Sequence, residues 1–294
     1  MIHKPVLTKE VLEYLDVKPD ENIVDGTVGQ AGHTLLILEK NKPSGRVLGI
    51  DKDAGQIENA QKATSDYKNR VVLINDSYVN IASIIEEEHF RPVNGILLDL
   101  GYSSWQLEES GKGFSFAKNE ALDMRYSLQN TLTAEVIVNE YPEEKLKNIL
   151  EEYGEEKFAK QIARKIVEQR KIKKIHSTFE LVSIIEMAVP AKFYHERIHR
   201  ATRTFQALRI AVNDELGNLA AFLPKALSVL APKGRLVIIS FHSLEDRIVK
   251  NYFKEKEKEG ILHIITKKPI LPSGQEVLEN PRSRSAKLRA IVKT

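Results

Sequence analysis

Asp25-Gly-Thr-Val-Gly-Gln-Ala-Gly-His-Thr34 is the stretch of this chain that links the end of one apolar run to the start of another. The run over residues 22–25 predicts a short buried strand, and the residues from Gly32 onward predict a helix with one apolar side. Gly26, Gly29 and Gly32 then occupy a strand-to-helix turn, where glycine permits positive φ and lets a ligand approach the backbone. The stretch therefore predicts a βα unit that holds a ligand.

A second strand, predicted over residues 46–51, ends in a carboxylate that can accept hydrogen bonds from both hydroxyls of a ribose. A dinucleotide would require G-x-G-x-x-G, with its pyrophosphate on the helix N-terminus, but this chain has G-x-x-G-x-x-G. The negative charge of Asp25 would also disfavour a pyrophosphate and suit the ammonium or sulfonium of S-adenosylmethionine. The sequence thus favours S-adenosylmethionine over NAD, and a tight turn without a ligand stays open.

Composition narrows the class of protein. The 294 residues favour two domains over one, and no run of 18 apolar residues occurs. The N-terminal residues lack a signal-peptide pattern, so we expect a soluble, cytoplasmic protein with no membrane partner. The chain has no cysteine, which excludes disulfides, thiolate metal sites and methylation at carbon 5 of a pyrimidine, since that reaction needs a cysteine nucleophile. If a pyrimidine is the target, a nitrogen or oxygen is the acceptor.

The charges are sorted along the chain, although the net charge is only +3. Basic residues cluster over 157–174, 197–209 and 282–293, whereas residues 140–156 are acid-rich. Each cluster alone is most simply a solvated helix face, but together they favour a phosphate backbone as partner.

The order of predicted elements defines the fold class. Strands and helices alternate up to residue 99, which predicts a parallel sheet with helices on both faces. Carboxylates follow the first four strands, at the edge where such sheets bind ligands: Asp25, Asp51, Asp76 and Asp99. From about residue 134 to residue 188 the periodicity is helical only, and a fifth strand follows over residues 234–240. Two alternating segments, 262–266 and 288–292, predict an antiparallel pair at the sheet edge.

These features predict an α/β, class I S-adenosylmethionine-dependent methyltransferase, Rossmann-like, with a C-terminal antiparallel hairpin and an inserted all-helical domain. The predicted boundaries are 1–106 and 205–294 for the methyltransferase domain and 107–204 for the helical insert.

Several constellations carry candidate chemistry. Asp99-Leu-Gly-Tyr102 partly resembles the D-P-P-Y motif of enzymes that methylate exocyclic amines, although Tyr102 could equally be packing. The stretch His195-Glu-Arg-Ile-His199 matches a zinc pattern, but arginines crowd the same turn and no third ligand follows at a recognised interval, so we predict no metal. His242 is a proton acceptor or, as we favour, a contributor to a helix cap. The aromatic side chains of the loop after Asp99 stack a flipped base or anchor the loop: Trp105, Phe114 and Phe116.

Taken together, the sequence closely resembles the bacterial 16S rRNA (cytosine-N(4))-methyltransferases, the RsmH or MraW family. The matching stretches span nearly the whole chain: Asp25 to Thr34, Leu97-Leu-Asp-Leu-Gly-Tyr-Ser-Ser104, Gly113-Phe-Ser-Phe116, Leu122-Asp-Met-Arg125, Ala201 to Leu216, Ile239-Ser-Phe-His-Ser-Leu-Glu-Asp-Arg247 and Asn280 to Arg289. The chain departs from the family at Ala31, Tyr102 and Trp105, and in the stretch Asn119-Glu-Ala121.

The resemblance implies methylation, with S-adenosylmethionine, of the exocyclic 4-amino group of a cytidine in the decoding centre (P site) of 16S rRNA within the 30S subunit. It implies that the helical insert, residues 107–204, recognises the substrate. It also implies cofactor contacts at Ala31, Gly32, His33, Asp51, Tyr78, Asp99 and Gln106. Asp99 is expected to orient the target amine, and no general base is assigned. The basic clusters predict RNA phosphate contacts at Arg203, Arg209, Arg282 and Arg284. A homodimer is among the oligomeric states left open, and the competing classes are an NAD-dependent oxidoreductase, a zinc peptidase and a non-enzymatic RNA-binding protein.

Overall fold

The computed structural model describes residues 5–101, 107, 110–190 and 198–294. The chain divides into two compact units, one formed by Met1–Gly101 with Leu216–Thr294 and the other by Tyr102–Glu215. The predicted boundary after residue 204 falls inside the helix Ala201–Asn213. That helix belongs to the second unit because Phe205 and Leu208 are buried in the helical core.

The first unit contains a seven-stranded sheet in the order β3-β2-β1-β4-β5-β7-β6. Its strands are β1 (Ile23–Asp25), β2 (Val47–Asp51), β3 (Val71–Asn75), β4 (Val93–Asp99), β5 (Leu230–Ser240), β6 (Leu262–Ile264) and β7 (Lys287–Lys293). β1 to β5 pair in parallel, and β7 runs antiparallel to both of its neighbours. The predicted antiparallel pair at the sheet edge is therefore confirmed, although a short helix, Gly274–Glu279, lies in the connection.

Helices cover both faces of this sheet, as the alternation of side chains along β5 requires. Leu236 and Ile238 belong to one apolar cluster, whereas Val237 and Ile239 belong to the cluster on the other side. The helices of this unit are α1 (Thr8–Leu15), α2 (Gly32–Lys40), α3 (Ala54–Ala63), α4 (Ile81–Glu87), α10 (Glu215–Val229), α11 (Ser243–Lys258) and α12 (Gly274–Glu279). The first residue of α10, Glu215, is assigned to the other unit.

The second unit is helical, as predicted, with its own apolar core. Its helices are α5 (Ala134–Glu140), α6 (Glu143–Gly154), α7 (Ala159–Arg170), α8 (Thr178–Ala188) and α9 (Ala201–Asn213). α9 ends at Asp214, which has a left-handed φ of 48°, and α10 begins at the next residue. Among the described residues, no helix has the length and apolar character needed to cross a membrane.

Candidate active site

The turn after β1 is organised by the carboxylate of Asp25. This side chain is 1% exposed; its Oδ1 accepts a hydrogen bond from the Thr27 N–H at 3.3 Å, and its Oδ2 accepts one from the Thr34 hydroxyl at 2.7 Å. Burial raises the pKa of Asp25 despite these bonds. Both oxygens thus bind the protein itself, and they fix the turn to the first part of α2.

The turn joins β1 to the end of β2 through Asp51. The Gly29 N–H donates to Asp51 Oδ2 at 3.0 Å, and the Asp53 N–H donates to Oδ1 at 3.0 Å. Gly29 has a φ of 50°, the left-handed conformation that glycine adopts at little cost. Each carboxylate oxygen of Asp51 keeps a further lone pair, which is what two ribose hydroxyls require.

Burial raises the pKa of Asp51 to about 6, and the hydrogen bonds from Asp53 and Gly29 act in the opposite direction. The group is therefore ionised at neutral pH and becomes protonated in mildly acidic solution. A ligand that needs the ionised carboxylate as an acceptor would lose affinity in that range.

The N-terminus of α2 is open to a ligand's polar groups because no side chain caps it. Ala31, the residue before the helix, is fully buried with a left-handed φ of 64°. At Gly32 a Cβ would lie 3.0 Å from Pro5 Cγ, so a larger residue would crowd the N-terminal segment. Unbonded N–H groups and the positive end of the helix dipole suit a carboxylate.

His33, which is buried, and Asp99, whose side chain is 17% exposed, form a pair with unsatisfied polar atoms. His33 Nε2 lies 3.5 Å from Asp99 Oδ2, beyond ordinary hydrogen-bond length. Both ring nitrogens of His33 and Asp99 Oδ1 are buried without a hydrogen-bond partner. The Asp99 backbone N–H donates to the Thr27 hydroxyl at 2.7 Å, so the turn also holds the end of β4. Because buried polar groups are normally bonded, these atoms fit a ligand that carries donors and acceptors.

Tyr78 follows β3 and borders the same edge of the sheet. Its ring packs edge-on against Phe222, with centroids 5.2 Å apart, and the Lys52 ammonium lies 5.6 Å from its centroid. Gly26 lies close by, since a Cβ there would be 3.5 Å from Tyr78 Cβ. The structure therefore brings together six predicted cofactor residues in the first unit: Ala31, Gly32, His33, Asp51, Tyr78 and Asp99. Gln106 lies outside the described residues.

The four predicted RNA-contacting arginines differ in exposure. Arg282 and Arg284 are exposed on a short 3₁₀ helix, Pro281–Ser285, and Arg203 is half-buried, with its Nη1 donating to the Glu155 carbonyl at 3.0 Å.

The structure contradicts the predicted phosphate contact at Arg209. It is 8% exposed and forms a bidentate ion pair with Glu215, at 2.8 Å from Nε to Oε1 and 2.9 Å from Nη2 to Oε2. The basic cluster predicted a phosphate contact here, but the guanidinium is engaged within the helical unit.

Other candidate groups have structural roles. The Nδ1 atom of His242 caps α11 by accepting from the Glu245 N–H, which confirms the capping interpretation. The His199 ring stacks on Phe116 at 4.7 Å and its Nδ1 accepts from the Ala201 N–H, while His195 lies outside the described residues. Phe114 is buried and stacks on Tyr126 at 5.4 Å, so both phenylalanines anchor their loop, whereas Trp105 and Tyr102 lie outside the described residues.

Sequence reasoning missed the two threonines that hold the site together. Thr27 bonds Asp25 and Asp99, and Thr34 bonds Asp25. Their position within the glycine-rich turn is a signal, but the partner of Thr27 at Asp99 lies 72 residues away and no local pattern encodes it.

A sheet ordered 3-2-1-4-5-7-6 with an antiparallel β7, and a glycine turn facing a strand-end carboxylate, define a class I S-adenosylmethionine-dependent methyltransferase. The MraW methylase family matches residues 1–294. The chain belongs to this family, which confirms the resemblance read from the sequence.

Two relatives support the same assignment. A protein of Sulfurihydrogenibium azorense, named ribosomal RNA small subunit methyltransferase H, is 47% identical over 98% of this chain and 97% of its own length. A protein of Heliobacterium mobile with the same name is 47% identical over 99% of this chain and 98% of its own. Among solved structures, an rRNA methylase from Streptococcus thermophilus aligns over 100% of this chain and 98% of its own, with 12% identity and a TM-score of 0.46.

The buried Arg209–Glu215 pair predicts a large effect on stability. Arg209→Met removes the cation that pairs with the Glu215 carboxylate and leaves the Tyr126 hydroxyl, at 3.1 Å from Oε1, as a neutral donor. We therefore expect the free energy of unfolding of the helical unit to fall by about 3–5 kcal/mol. Urea denaturation followed by circular dichroism measures it. Arg164→Met is the matched control, because Arg164 pairs with Glu168 on an exposed helix face and should change stability by less than about 1 kcal/mol. Equal effects of the two variants would contradict the structural role of Arg209.

Proposed function

We propose that this methyltransferase transfers a methyl group from S-adenosylmethionine to the exocyclic 4-amino group of a cytidine in the decoding centre (P site) of 16S rRNA, within the 30S subunit. The observation that carries the proposal is the unpartnered Oδ1 of Asp99 at the carboxyl edge of the sheet. An amine that donates to this oxygen would satisfy it. The names of the two relatives support small-subunit rRNA as the substrate. The lack of cysteine supports a nitrogen acceptor on the pyrimidine.

The groups around the glycine turn fit S-adenosylmethionine. The open N-terminus of α2, at Ala31, Gly32 and His33, suits the carboxylate of the methionine portion. Asp51 suits the ribose hydroxyls, and the ring of Tyr78 offers an apolar face for the adenine. Asp99 would contact the methionine portion of S-adenosylmethionine as well as the target amine. A contact from Gln106 stays a prediction, since this residue is outside the described range.

The chemistry expected of the protein is positioning. S-adenosylmethionine supplies an electrophilic methyl group on a sulfonium. The lone pair of an aromatic amine is conjugated with its ring, so the amine must be held for the lone pair to point at an electrophile. Asp99 would accept a hydrogen bond from the amine and fix its orientation. The amine nitrogen would lose one proton to water or a weak acceptor as it gains the methyl group, so no strong base is required. The cytidine has to leave its stack to reach this edge of the sheet.

Three arginines remain as proposed contacts for RNA phosphates: Arg203, Arg282 and Arg284. The last two are exposed, as a phosphate contact requires. Arg203 uses one guanidinium nitrogen on the Glu155 carbonyl, so other nitrogens of the group could reach a phosphate. A homodimer and a cytoplasmic location stay predictions, which mass measurement in solution and cell fractionation would test.

The experiment that tests the function uses small ribosomal subunits from cells that lack the activity. The protein is incubated with these subunits and methyl-labelled S-adenosylmethionine, the rRNA is digested, and the labelled nucleoside is identified. We expect N4-methylcytidine. Label on another nucleoside would keep the enzyme class and overturn the target, and transfer to naked 16S rRNA alone would overturn the 30S subunit as substrate.

The raised pKa of Asp51 predicts a pH-dependent cofactor affinity. Affinity should fall as the pH is lowered through about 6, because protonation removes the negative charge from the acceptor of the ribose hydroxyls. Asp51→Asn should bind S-adenosylmethionine about 10- to 100-fold more weakly at pH 7.5 and lose this pH dependence. Calorimetric titration between pH 5 and 8 measures both effects, and Asp66→Asn, at an exposed carboxylate, is the control. Wild-type affinity in Asp51→Asn would contradict the ribose contact.

If these arginines contact RNA phosphates, removal of their charge should reduce the salt dependence of binding to the 30S subunit. Each of Arg203→Gln, Arg282→Gln and Arg284→Gln should weaken 30S binding and lower the slope of log affinity against log salt by about 1. Affinity for S-adenosylmethionine should stay unchanged. Lys62→Gln, at an exposed residue of α3, is the control, and wild-type RNA affinity in all three variants would remove the assignment.

A further inference from the structure

His33 and Asp99 have side-chain atoms without hydrogen-bond partners, whereas the other carboxylates at this edge of the sheet are hydrogen-bonded. His33 is 6% exposed, and both of its ring nitrogens lack a hydrogen-bond partner. Its Nε2 lies 3.5 Å from Asp99 Oδ2, while Asp99 Oδ1 is also buried and unpartnered. An imidazole without hydrogen bonds is costly to bury, so its place beside a carboxylate calls for an explanation.

The other strand-end carboxylates are already held by the protein. Asp25 binds Thr27 and Thr34, and both oxygens of Asp51 accept backbone N–H groups. Asp76 accepts from the Ser77 N–H and the Asn80 side chain. Among these four described carboxylates, Asp99 alone has no donor to its side-chain oxygens within ordinary hydrogen-bond distance.

The geometry points to His33 as a positioning residue for Asp99: the Nε2–H of its imidazole donates to Asp99 Oδ2 and leaves Oδ1 directed at the target amine. This inference rests on the proposed function, and it gives His33 a role beyond contact with the cofactor. His33 does not touch the amine in this scheme; it acts through the carboxylate.

The backbones of both residues are fixed, so one side-chain hydrogen bond suffices to set the carboxylate. His33 is the second residue of α2, and the Asp99 N–H is bonded to the Thr27 hydroxyl. The free motion that remains to Asp99 is rotation of its side chain, and a donor at Oδ2 removes it. A small displacement is sufficient to close the 3.5 Å separation to hydrogen-bond length.

The charged group that faces the pair from the neighbouring strand is Asp25. His33 lowers the pKa of Asp25, and Asp99 raises it. Asp25 is already bonded to the two threonines, which leaves Asp99 as the carboxylate that needs the imidazole donor.

Two polar substitutions of nearly equal size separate positioning from simple packing. In His33→Gln the amide nitrogen can reach the position of Nε2, whereas in His33→Asn it reaches only the position of Nδ1. We expect His33→Asn to lower kcat about 100-fold at saturating cofactor and 30S subunits, as a misplaced acceptor would. His33→Gln should stay within about threefold of the wild type, and both variants should keep their affinity for S-adenosylmethionine within about threefold. His263→Gln, at an exposed histidine of β6, is the control.

A second measurement uses the ligand-free protein. Nitrogen-15 spectra of the imidazole should show the Nε2–H tautomer of His33 in the wild type, and Asp99→Ala should remove this preference. Equal kcat values for His33→Asn and His33→Gln would overturn the positioning role. So would a loss of cofactor affinity with unchanged kcat, since His33 would then serve only the cofactor. If the wild-type protein forms no N4-methylcytidine, the proposed function fails, and the tautomer measurement still decides whether His33 holds Asp99.

Discussion

The structure of the site depends on the burial of one carboxylate, that of Asp25. Burying a charge is costly unless hydrogen bonds compensate, and Asp25 takes its bonds from both sides of the glycine turn. The turn held in this way donates from Gly29 to Asp51 and accepts at the Thr27 hydroxyl from the Asp99 N–H. One buried carboxyl group thereby fixes the relative positions of the ends of three neighbouring strands.

The polar groups at this edge fall into two sets with different uses. Asp25 and Asp51 are held by backbone or hydroxyl donors, so they form a preorganised frame. His33 and Asp99 lie beside that frame with buried atoms that have no hydrogen-bond partner, so these atoms can bind a ligand. Because the supporting carboxylates are already held in place and the ligand-binding atoms are unbonded, little reorganisation is needed when a ligand binds.

The periodicity of apolar residues and the positions of glycine and proline were sufficient to predict the sheet and the helical insert. The local sequence pattern alone predicted the strand ends at Asp51 and Asp99 and the glycine turn. This is because each strand of a parallel sheet is an apolar run whose carboxyl end lies at the ligand-binding edge. Contacts between distant segments were not predictable. The Thr27–Asp99 bond is one case, and Arg209 is another: its partner lies beyond the break at Asp214, and a basic cluster does not reveal which guanidinium is buried.

The division of the sheet between two distant segments has a consequence for synthesis of the chain. β4 ends at Asp99 and its neighbour β5 begins at Leu230, so the entire helical unit is translated between two strands that pair directly. Until β5 emerges, the nascent chain carries β4 with an open edge, the kind of strand that pairs with other chains. The helical unit has its own core and can form during that interval. Rapid folding of the insert would shorten the effective gap between the two halves, so the insert would contribute to the yield of native protein as well as to its function.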